Sequence, residues 1–298
     1  MAGGLAVMDQ EQGDGWVMYN GDSAEVLPRL PADSIDFSVF SPPFVSVYTY
    51  SPSDRDLGNV RDEAMFWEQF GFVSRELLRV VKPGRLVAVH VANLPAYANR
   101  DGESGRKDFR GDTIRHFQSV GFVYHSEICI DKNPQAQAIR THSKGLLFVQ
   151  LRRDAAWMWQ AWADYILVFR KPGENPERVK TDLSEDEWIE YARPVWYGIR
   201  ETDVLSAIDA RENDDERHLA PLQLGVIERC VRLWTNEGDT VLSPFAGIGS
   251  EGYVSVKRGR RFIGVELKPA YWRVAVENMR RAESSVATLW DGLMDTEA

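Results

Sequence analysis

The sequence contains few cysteines, no long apolar run and no excess of basic residues. Its 298 residues include only two cysteines, Cys129 and Cys230, which are too few for a disulfide framework or a cysteine-rich zinc site. No apolar stretch approaches the length of a membrane span, and residues 1–15 lack the basic and apolar segments of a secretory signal. These absences predict a globular protein of a reducing cytoplasm, without a membrane partner.

Acidic residues outnumber basic residues, 45 against 35, which gives a net charge of −10. This balance disfavours a protein that coats nucleic acid through its overall charge, but it allows an enzyme that concentrates its cations in one cleft. The stretch from 131 to 160 is such a place, because its five cations exceed its two acids. These cations are Lys132, Arg140, Lys144, Arg152 and Arg153.

The C-terminal third predicts a cofactor-binding unit. A short apolar strand at 240–242 runs into a glycine-containing turn, and a helix at 251–257 leads to a second strand at 261–265 that ends at Glu266. This order is that of a half-Rossmann unit, which binds adenosine-containing cofactors. The turn consists of Ser243, Pro244, Phe245, Ala246, Gly247, Ile248, Gly249 and Ser250.

The details of this turn favour S-adenosylmethionine over a dinucleotide. Gly247 and Gly249 let the backbone approach a ligand closely. Glu266 lies 17 residues after Gly249, near the roughly 20 expected for a carboxylate that binds both ribose hydroxyls. A single Gly-x-Gly pair matches a phosphate cradle poorly, whereas S-adenosylmethionine has no phosphates. The alternative is a glycine turn that only packs a helix on a strand.

Two strands are too few for a doubly wound sheet, so the remaining strands must lie upstream. Apolar segments at 35–40 and 85–91 are predicted to supply them, with a helix over 62–80 between them. We expect a mobile polar loop at 99–112, and a final helix at about 269–281 followed by a loose tail. In such a sheet the loops that bind ligands follow the carboxyl ends of the strands.

The segment after the first upstream strand, Ser41-Pro42-Pro43-Phe44, fits methylation of an exocyclic amine. Such an amine is a poor nucleophile because its lone pair is delocalised into the ring. The Ser41 hydroxyl and the Pro42 carbonyl can each accept one amino hydrogen, which directs the lone pair at the methyl group. The prolines stiffen the loop, Phe44 offers a face for an extruded base, and neither a covalent nucleophile nor a metal is required. Taken alone, the segment is better explained as a turn after a strand.

The catalytic segment and the glycine-rich turn together resemble the DNA amino-methyltransferases. The catalytic motif of this family is Asp/Asn/Ser-Pro-Pro-Tyr/Phe/Trp, its cofactor motif contains Phe-x-Gly-x-Gly, and the order found here is that of the β class. The resemblance implies an α/β, circularly permuted Rossmann-like fold that depends on S-adenosylmethionine. It also implies a catalytic half at 1–130, an inserted target-recognition region at 131–217 and a cofactor-binding half at 218–298.

Residue roles follow from the same resemblance. Asp22 corresponds to a contact with the cofactor adenine, His218-Leu219-Ala220-Pro221 to a motif against its methionine end, and Phe245 to a ring along the cofactor. The residues expected to bind the cofactor are Asp22, His218, Leu219, Pro221, Ser243, Pro244, Phe245, Ala246, Gly247, Gly249, Ser250 and Glu266.

The resemblance implies double-stranded DNA as the substrate, a homodimer, and a bacterial or phage-encoded protein that acts at the nucleoid in the cytoplasm. The five cations between 131 and 160 are predicted to meet phosphates or base edges, although each fits a solvated face equally well. Three tryptophans of the same region, Trp157, Trp159 and Trp162, are predicted to pack or to form a dimer contact rather than to stack on bases.

Two departures from the family pattern bear on the chemistry. Ser243 stands where the family usually has Asp, which affects the expected contact with the cofactor amino group. Ser41 is typical of enzymes that methylate cytosine N4. The whole chain, including the segments at 55–59 and 82–86, resembles orphan methylases of phages and prophages and favours adenine N6. We expect adenine N6 by a small margin, with cytosine N4 as the alternative.

Other interpretations fit less well. A cytosine-C5 methylase would need a cysteine nucleophile, typically after a proline, but neither Cys129 nor Cys230 follows one. RNA and protein-glutamine methylases usually place the cofactor motif before the catalytic motif, which is the opposite order. A catalytically silent methylase fold that binds DNA as a regulator is disfavoured by the intact segment 41–44 and by Glu266.

Overall fold

The computed structural model describes residues 7–43, 60, 62–96, 98–141, 144–206 and 221–294, which form a nine-stranded sheet and a two-stranded ribbon. The strands are β1 (Val7–Gly13), β2 (Trp16–Gly21), β3 (Ile35–Phe40), β4 (Val81–Ala92), β5 (Leu94–Ala96), β6 (Gly105–Lys107), β7 (Val123–Ile130), β8 (Asp164–Arg170), β9 (Val195–Trp196), β10 (Thr240–Ser243) and β11 (Arg261–Glu266). The α-helices are α1 (Ser23–Val26), α2 (Glu63–Val80), α3 (Ala98–Asp101), α4 (Phe109–Val120), α5 (Pro134–Thr141), α6 (Gln150–Arg153), α7 (Glu185–Tyr191), α8 (Leu224–Trp234), α9 (Ser250–Lys257) and α10 (Pro269–Met294).

The middle of the large sheet is parallel and runs in the order β2-β11-β10-β3-β4. Val241 of β10 lies opposite Phe262 of β11 on one side and Phe37 of β3 on the other. β3 is buried at all six positions, as expected for a parallel strand covered on both faces. The strands of the N-terminal segment therefore complete the sheet that the C-terminal unit begins, which confirms the predicted permuted α/β fold.

The edges of the large sheet are antiparallel. β1 and β2 form a hairpin. On the other side β8 pairs antiparallel with both β4 and β7, and β9 pairs parallel with β7. Because β8 and β9 lie between 131 and 217, the region predicted to recognise DNA also supplies two strands of the main sheet.

Apolar helix faces cover both sides of the sheet. On one side α8, α9 and α10 contribute Ile227, Val254 and Met279 to a buried core. On the other side α2 and α4 contribute Phe70 and Phe117 to a second core. None of the helices in the described ranges combines the length and the apolar composition that a membrane span needs.

Two sequence-based expectations about the chain outside the core were wrong. The polar segment at 99–112 is not a loop throughout, because β6 pairs with β5 and Asp108 begins α4 by accepting the N–H of Gly111 at 3.0 Å. The chain after residue 281 is not loose, because α10 continues to Met294. Glu283 fixes this part of α10 to the β1–β2 hairpin by accepting the Trp16 indole N–H at 2.9 Å.

A buried ion cluster lies at the amino ends of β3 and β10, at the sheet edge opposite the loops predicted to bind ligands. The Arg85 guanidinium, 2% exposed, is 3.0 Å from Asp239 Oδ2 and 3.4 Å from Asp36 Oδ1. Lys82 Nζ approaches Asp36 Oδ1 to 2.6 Å. Burial raises the pKa of Asp239 although the Arg85 guanidinium acts in the opposite direction. The cluster ties strands from the two ends of the chain together, since Asp36 also accepts the Thr240 N–H at 2.9 Å.

Candidate active site

The carboxyl ends of four parallel strands bring the predicted cofactor and catalytic residues to one edge of the sheet. Asp22 follows β2, Ser41 follows β3, Ser243 ends β10 and Glu266 ends β11. These strands are neighbours in the sheet, so their ends lie side by side, at the edge where open α/β sheets bind ligands.

The turn after β10 is shaped by two glycines and by Glu266. Gly247 and Gly249 have φ angles of 53° and 84°, a left-handed backbone that other residues rarely adopt. The Glu266 carboxylate accepts the N–H of Gly247 at 2.9 Å and the N–H of Lys268 at 2.8 Å. It is therefore held in a fixed position beside the turn, with its charge directed at the turn backbone.

The two glycines serve different purposes. A Cβ added at Gly249 would lie 3.1 Å from the Ala275 Cβ of α10, so close packing requires this glycine. A Cβ added at Gly247 would meet no atom of the described residues within 4 Å. Gly247 thus faces open space beside Glu266, where a ligand can approach the backbone.

Two buried hydroxyls beside this turn have no hydrogen-bond partner among the described residues. They are Ser243 Oγ, at the end of β10, and Ser250 Oγ, at the start of α9. Buried polar groups are nearly always satisfied, so these hydroxyls mark positions for polar ligand atoms or water. Ser243 is the position where the resemblance led us to expect Asp. With Glu266 and the open face of Gly247, the donor set fits a cofactor that carries hydroxyl and amino groups and no phosphate.

β2 and α1 each contact the candidate cofactor site through one side chain. The Asn20 amide donates to the backbone carbonyl of Glu266 at 2.8 Å, and the Ser23 hydroxyl donates to that of Pro244. Asp22, between them in the chain, caps α1 by accepting the Ala24 N–H at 2.9 Å. The residue expected at the cofactor adenine therefore lies beside the turn and also begins a helix.

Phe245 links the cofactor turn to the catalytic strand. Its ring centroid is 5.8 Å from that of Phe40 and 6.1 Å from that of Phe70. Phe40 ends β3, directly before Ser41. Phe245 is only half-buried, so part of its surface is available to a ligand, as the resemblance implies. The two motifs, far apart in sequence, thus share an aromatic contact.

Ser41 contacts a histidine to which the sequence reasoning assigned no role. Ser41 Oγ lies 2.9 Å from His90 Nδ1, and His90 Nε2 lies 3.2 Å from Asp164 Oδ2. Lys132 Nζ lies 2.6 Å from the same oxygen of Asp164. The four side chains form a continuous row, which is called the Ser41–Lys132 row below.

Strand register explains why these four residues meet. Phe40 of β3 lies opposite Val89 of β4, so Ser41 and His90 are the next residues along two parallel neighbours. Asp164 begins β8, which pairs with β4, and it lies opposite Ile130 of β7. Lys132 follows Ile130 by two residues. The row therefore crosses the ends of four strands that are adjacent in the sheet.

The row is buried and its carboxylate is ionised. The side chains of Lys132, His90 and Asp164 are 2%, 11% and 15% exposed. Burial opposes ionisation of Asp164, but the hydrogen bonds and charge interactions with His90 and Lys132 outweigh it and lower its pKa to about 2.

A second perturbed carboxyl lies behind the cofactor turn. Glu251, in the first turn of α9, is 5% exposed. Burial, together with the nearby charge of Glu266, raises the pKa of Glu251 to about 8. Glu251 is therefore mostly protonated at neutral pH, which removes its repulsion of Glu266.

The structure separates the cations that were predicted to contact DNA. Lys132 is a correction: it is buried against Asp164 and cannot face a phosphate, because its ammonium neutralises that carboxylate. Arg152 and Arg153 are exposed on α6 and fit the prediction. The side chains of Arg140 and Lys144 lie outside the described part of the structure.

The three tryptophans of this region differ in environment. The rings of Trp159 and Trp162 lie 6.2 Å apart, and the Arg106 guanidinium covers Trp162 at 4.9 Å. These two rings pack, as predicted. Trp157 is 67% exposed and lies close in sequence to exposed Phe148.

Several predicted site residues fall outside the described ranges, namely Phe44, His218 and Leu219, together with the segment at 55–59. Their predicted roles stay predictions. Pro221 is described and lies half-buried ahead of α8.

Sequence reasoning missed His90, Asp164 and Glu251. His90 carried a signal, because it is the polar residue within the apolar run 86–91 that follows the catalytic strand. Asp164 carried none, since its position depends on the pairing of β8 with β4. The protonation of Glu251 depends on burial, which is a property of the folded chain.

Comparison with known proteins agrees with this geometry. The family model of the N6/N4 DNA methylases matches residues 35–277. The chain is 26% identical to type II methyltransferase M.Cfr9I of Citrobacter freundii, over 92% of this chain and 90% of the relative. It is 24% identical to type II methyltransferase M.BglI of Bacillus subtilis, over 88% and 84% of the two chains.

Solved structures give the same result. A DNA modification methylase of Thermus thermophilus, solved with S-adenosyl-L-methionine, is 26% identical and superimposes with a TM-score of 0.64, over 88% of this chain and 94% of that one. Because the family model covers most of the sequence and the relatives match it nearly end to end, the chain belongs to the N6/N4 DNA methylase family.

Proposed function

We propose that the protein transfers the methyl group of S-adenosylmethionine to an exocyclic amino group of one base at a specific site in duplex DNA. The observation that carries the proposal is that Ser41, the turn with Gly247 and the Glu266 carboxylate all lie at the carboxyl ends of neighbouring strands. This placement brings an acceptor for amino hydrogens beside a site suited to the cofactor.

Binding of the cofactor is assigned to the turn after β10 and to Glu266. Bound there, S-adenosylmethionine supplies an electrophilic methyl group. Glu266 would accept hydrogen bonds from the ribose hydroxyls, as a carboxylate at the end of the second strand of such units does. The unpartnered hydroxyls of Ser243 and Ser250 would bind polar atoms of the same molecule, and Gly247 leaves room for it.

Activation of the amine is assigned to the loop after β3. The Ser41 hydroxyl and the Pro42 carbonyl accept the two amino hydrogens, so the nitrogen lone pair points away from them and towards the methyl group. Pro42 and Pro43 hold this geometry before the base arrives. A base inside a duplex cannot reach a buried loop, so the target is extruded from the stack.

Contact with DNA is assigned to the segment between β7 and β8. Arg152 and Arg153 are exposed there and can neutralise phosphates despite the overall negative charge. A homodimer, expected from the resemblance, is part of the proposal, and sedimentation of the protein with and without DNA measures it.

The target base is the most specific part of the proposal. The whole-chain resemblance to orphan phage-type enzymes favours adenine N6, which the sequence predicted by a small margin. The local evidence favours cytosine N4, because Ser41 is the residue typical of that reaction. Since the local evidence concerns the reacting group itself, we propose cytosine N4 as the target and keep adenine N6 as the second candidate.

Transfer of a tritiated methyl group to duplex DNA tests the proposal, and mass spectrometry of the product nucleosides identifies the base. We expect N4-methylcytosine; N6-methyladenine would replace the first candidate by the second. Binding of the cofactor without transfer to any duplex would indicate a DNA-binding regulator with a silent methylase fold and would refute the enzymatic proposal.

A further inference from the structure

The Ser41–Lys132 row has a feature that amine activation by Ser41 and Pro42 does not require. Ser41 needs only its oxygen to accept an amino hydrogen, yet that oxygen is also 2.9 Å from a buried histidine, which is followed by a buried carboxylate and a buried ammonium. Taking three ionisable side chains out of water costs several kcal/mol per ion unless they are paired. Such an arrangement behind a reacting group points to a role in the reaction.

The hydrogen positions in the row follow from the charge of Asp164. An ionised carboxylate can only accept, so the hydrogen between Asp164 and His90 belongs to His90 Nε2. In the neutral ring His90 Nδ1 is then an acceptor, and the hydrogen between His90 and Ser41 belongs to the Ser41 hydroxyl. Both lone pairs of Ser41 Oγ are left for the substrate amine.

We propose that His90 is a positioning residue that orients the Ser41 hydroxyl and takes up, through Ser41, the proton that the methylated amine releases. The inference rests on the proposed function, because it assigns a task within amino methylation. His90 acts through Ser41 and does not itself touch the base.

The proposed step balances in protons and electrons. The amine nitrogen forms a bond to the methyl carbon while the carbon–sulfur bond breaks, and the bonding electrons stay on sulfur. The nitrogen, now positively charged, passes a proton to Ser41 Oγ as the Ser41 hydroxyl hydrogen passes to His90 Nδ1. The products are a neutral methylated amine, a neutral serine and an imidazolium, which Asp164 stabilises and which later returns its proton to solvent.

Lys132 completes this arrangement. Lys132 gives Asp164 a second cationic partner, 2.6 Å from the oxygen that faces His90, so the carboxylate does not depend on His90 alone for a counter-charge. The His90 ring contacts the Asp164 carboxylate from β8, which in turn contacts the Lys132 ammonium after β7. The loop after β3 contributes the Ser41 hydroxyl.

The His90→Asn variant separates orientation from proton uptake. The Asn oxygen can stand where Nδ1 stands and accept the Ser41 hydrogen, but it cannot be protonated. We expect the single-turnover rate of methyl transfer to fall about 100-fold or more, in the range of general acid–base catalysis. Dissociation constants for S-adenosylmethionine and DNA should stay within about twofold of wild type.

A second serine–histidine pair provides the matched control. His116 Nε2 lies 2.8 Å from Ser74 Oγ, with Ser74 buried and His116 half-buried. This pair joins α2 to α4 and involves neither Ser41 nor Pro42. His116→Asn should leave the single-turnover rate unchanged. An equal loss of rate in H116N and H90N would show a general effect of removing an imidazole that is hydrogen-bonded to a serine and would overturn the inference.

Two further readouts distinguish proton uptake from a structural role. The wild-type rate should fall on acidification, because a protonated His90 cannot accept the Ser41 hydrogen, and H90N should lack this dependence. Ser41→Ala combined with H90N should be no slower than Ser41→Ala alone, since both remove the same function. Additive losses, or an unchanged acid dependence in H90N, would contradict the proposal.

The outcomes also separate this inference from the proposed function. Absence of methyl transfer by the wild-type protein would refute the proposed function. A wild-type protein that methylates DNA while H90N does so within about threefold of the same rate would refute the inference alone. If H90N does not fold, Asp164→Asn replaces it, and it should slow transfer because a neutral amide does not stabilise an imidazolium.

Discussion

Alanine substitution of Gly247 should weaken cofactor binding by about one to two orders of magnitude while changing the stability of the fold only modestly. Gly247 has a φ angle of 53° and faces open space, whereas Gly249 has a φ angle of 84° and packs on α10. Gly238, in a turn before β10, has a φ angle of 80° and no described atom near an added Cβ. The three glycines thus share a backbone conformation and differ in what lies beside them.

The expected magnitudes follow from these surroundings. Alanine in the left-handed region costs about 1–2 kcal/mol, so Gly238→Ala and Gly247→Ala should lose that much stability. Gly249→Ala adds a contact of 3.1 Å with Ala275, and overpacking of this kind costs about 1–3 kcal/mol more. A methyl group in the ligand space at Gly247 should cost a similar 1–3 kcal/mol of binding, roughly a 5- to 150-fold rise in the dissociation constant.

The assay measures urea unfolding and cofactor binding by calorimetry for the same three variants. Gly238→Ala is the control for backbone strain and should bind S-adenosylmethionine as the wild type does. The assignment of the cofactor to this turn is wrong if Gly247→Ala and Gly238→Ala bind it equally well.

Three other changes test the ion cluster, the buried carboxyl and the DNA-contacting segment. Arg85→Met should cost about 3–5 kcal/mol of stability, because it leaves the buried Asp239 carboxylate without its cation, and urea unfolding should show a smaller deficit at acidic pH as that carboxylate takes up a proton. Glu251→Gln should match the wild type near pH 5 and be more stable near pH 9. Burial raises the pKa of Glu251 in the folded state from the ordinary 4.5 to about 8, so its stabilising protonation is lost as pH rises through this window. Replacing Arg152 and Arg153 by Ala should weaken DNA binding. It should also reduce the slope of log affinity against log salt by about 2, because each lost phosphate contact removes roughly 0.9 from the slope.

Each of these changes has a control in the same chain. Lys82→Met removes a cation whose side chain is 26% exposed, so water can replace it and the loss should be smaller than for Arg85→Met. A pH-independent difference between Glu251→Gln and wild type would show that Glu251 is ionised throughout. Arg115→Ala removes an exposed arginine on α4 that pairs with Asp112, and it should leave the salt dependence of DNA binding unchanged. An equal change in slope would remove the α6 arginines from the DNA surface.

Much of the fold could be predicted because the local patterns agree with it. The parallel strands are short, mostly apolar segments, and their ends carry the residues predicted to bind ligands. The permuted order of the two halves followed from the number of strands, since two C-terminal strands cannot form a doubly wound sheet alone. The errors fell where local polarity was misleading. The segment at 99–112 is polar and charged, yet its β6 strand has a partner in β5, and its Asp108 begins a helix.

Whether a charged side chain is buried or exposed was the property that the sequence predicted least well. Lys132 lies in a cluster of cations and was assigned to DNA, but its ammonium is buried against Asp164. Arg152, from the same cluster, is exposed. Nothing in the local sequence distinguishes the two side chains, because the difference lies in whether a partner from another strand is close.

The sequence by itself determined the chemistry that the chain can perform. The Ser41–Phe44 segment, the glycines of the cofactor turn and Glu266 are set by residue type and spacing, because a tight turn or an acceptor at a strand end needs particular side chains at particular positions. Only the tertiary structure decided what supports that chemistry. The contacts of Ser41 with His90 and of Asp164 with Lys132 exist because β3, β4, β8 and β7 are neighbours in the sheet and bring these residues to the same edge. The protonation of Glu251 exists because folding removes it from water.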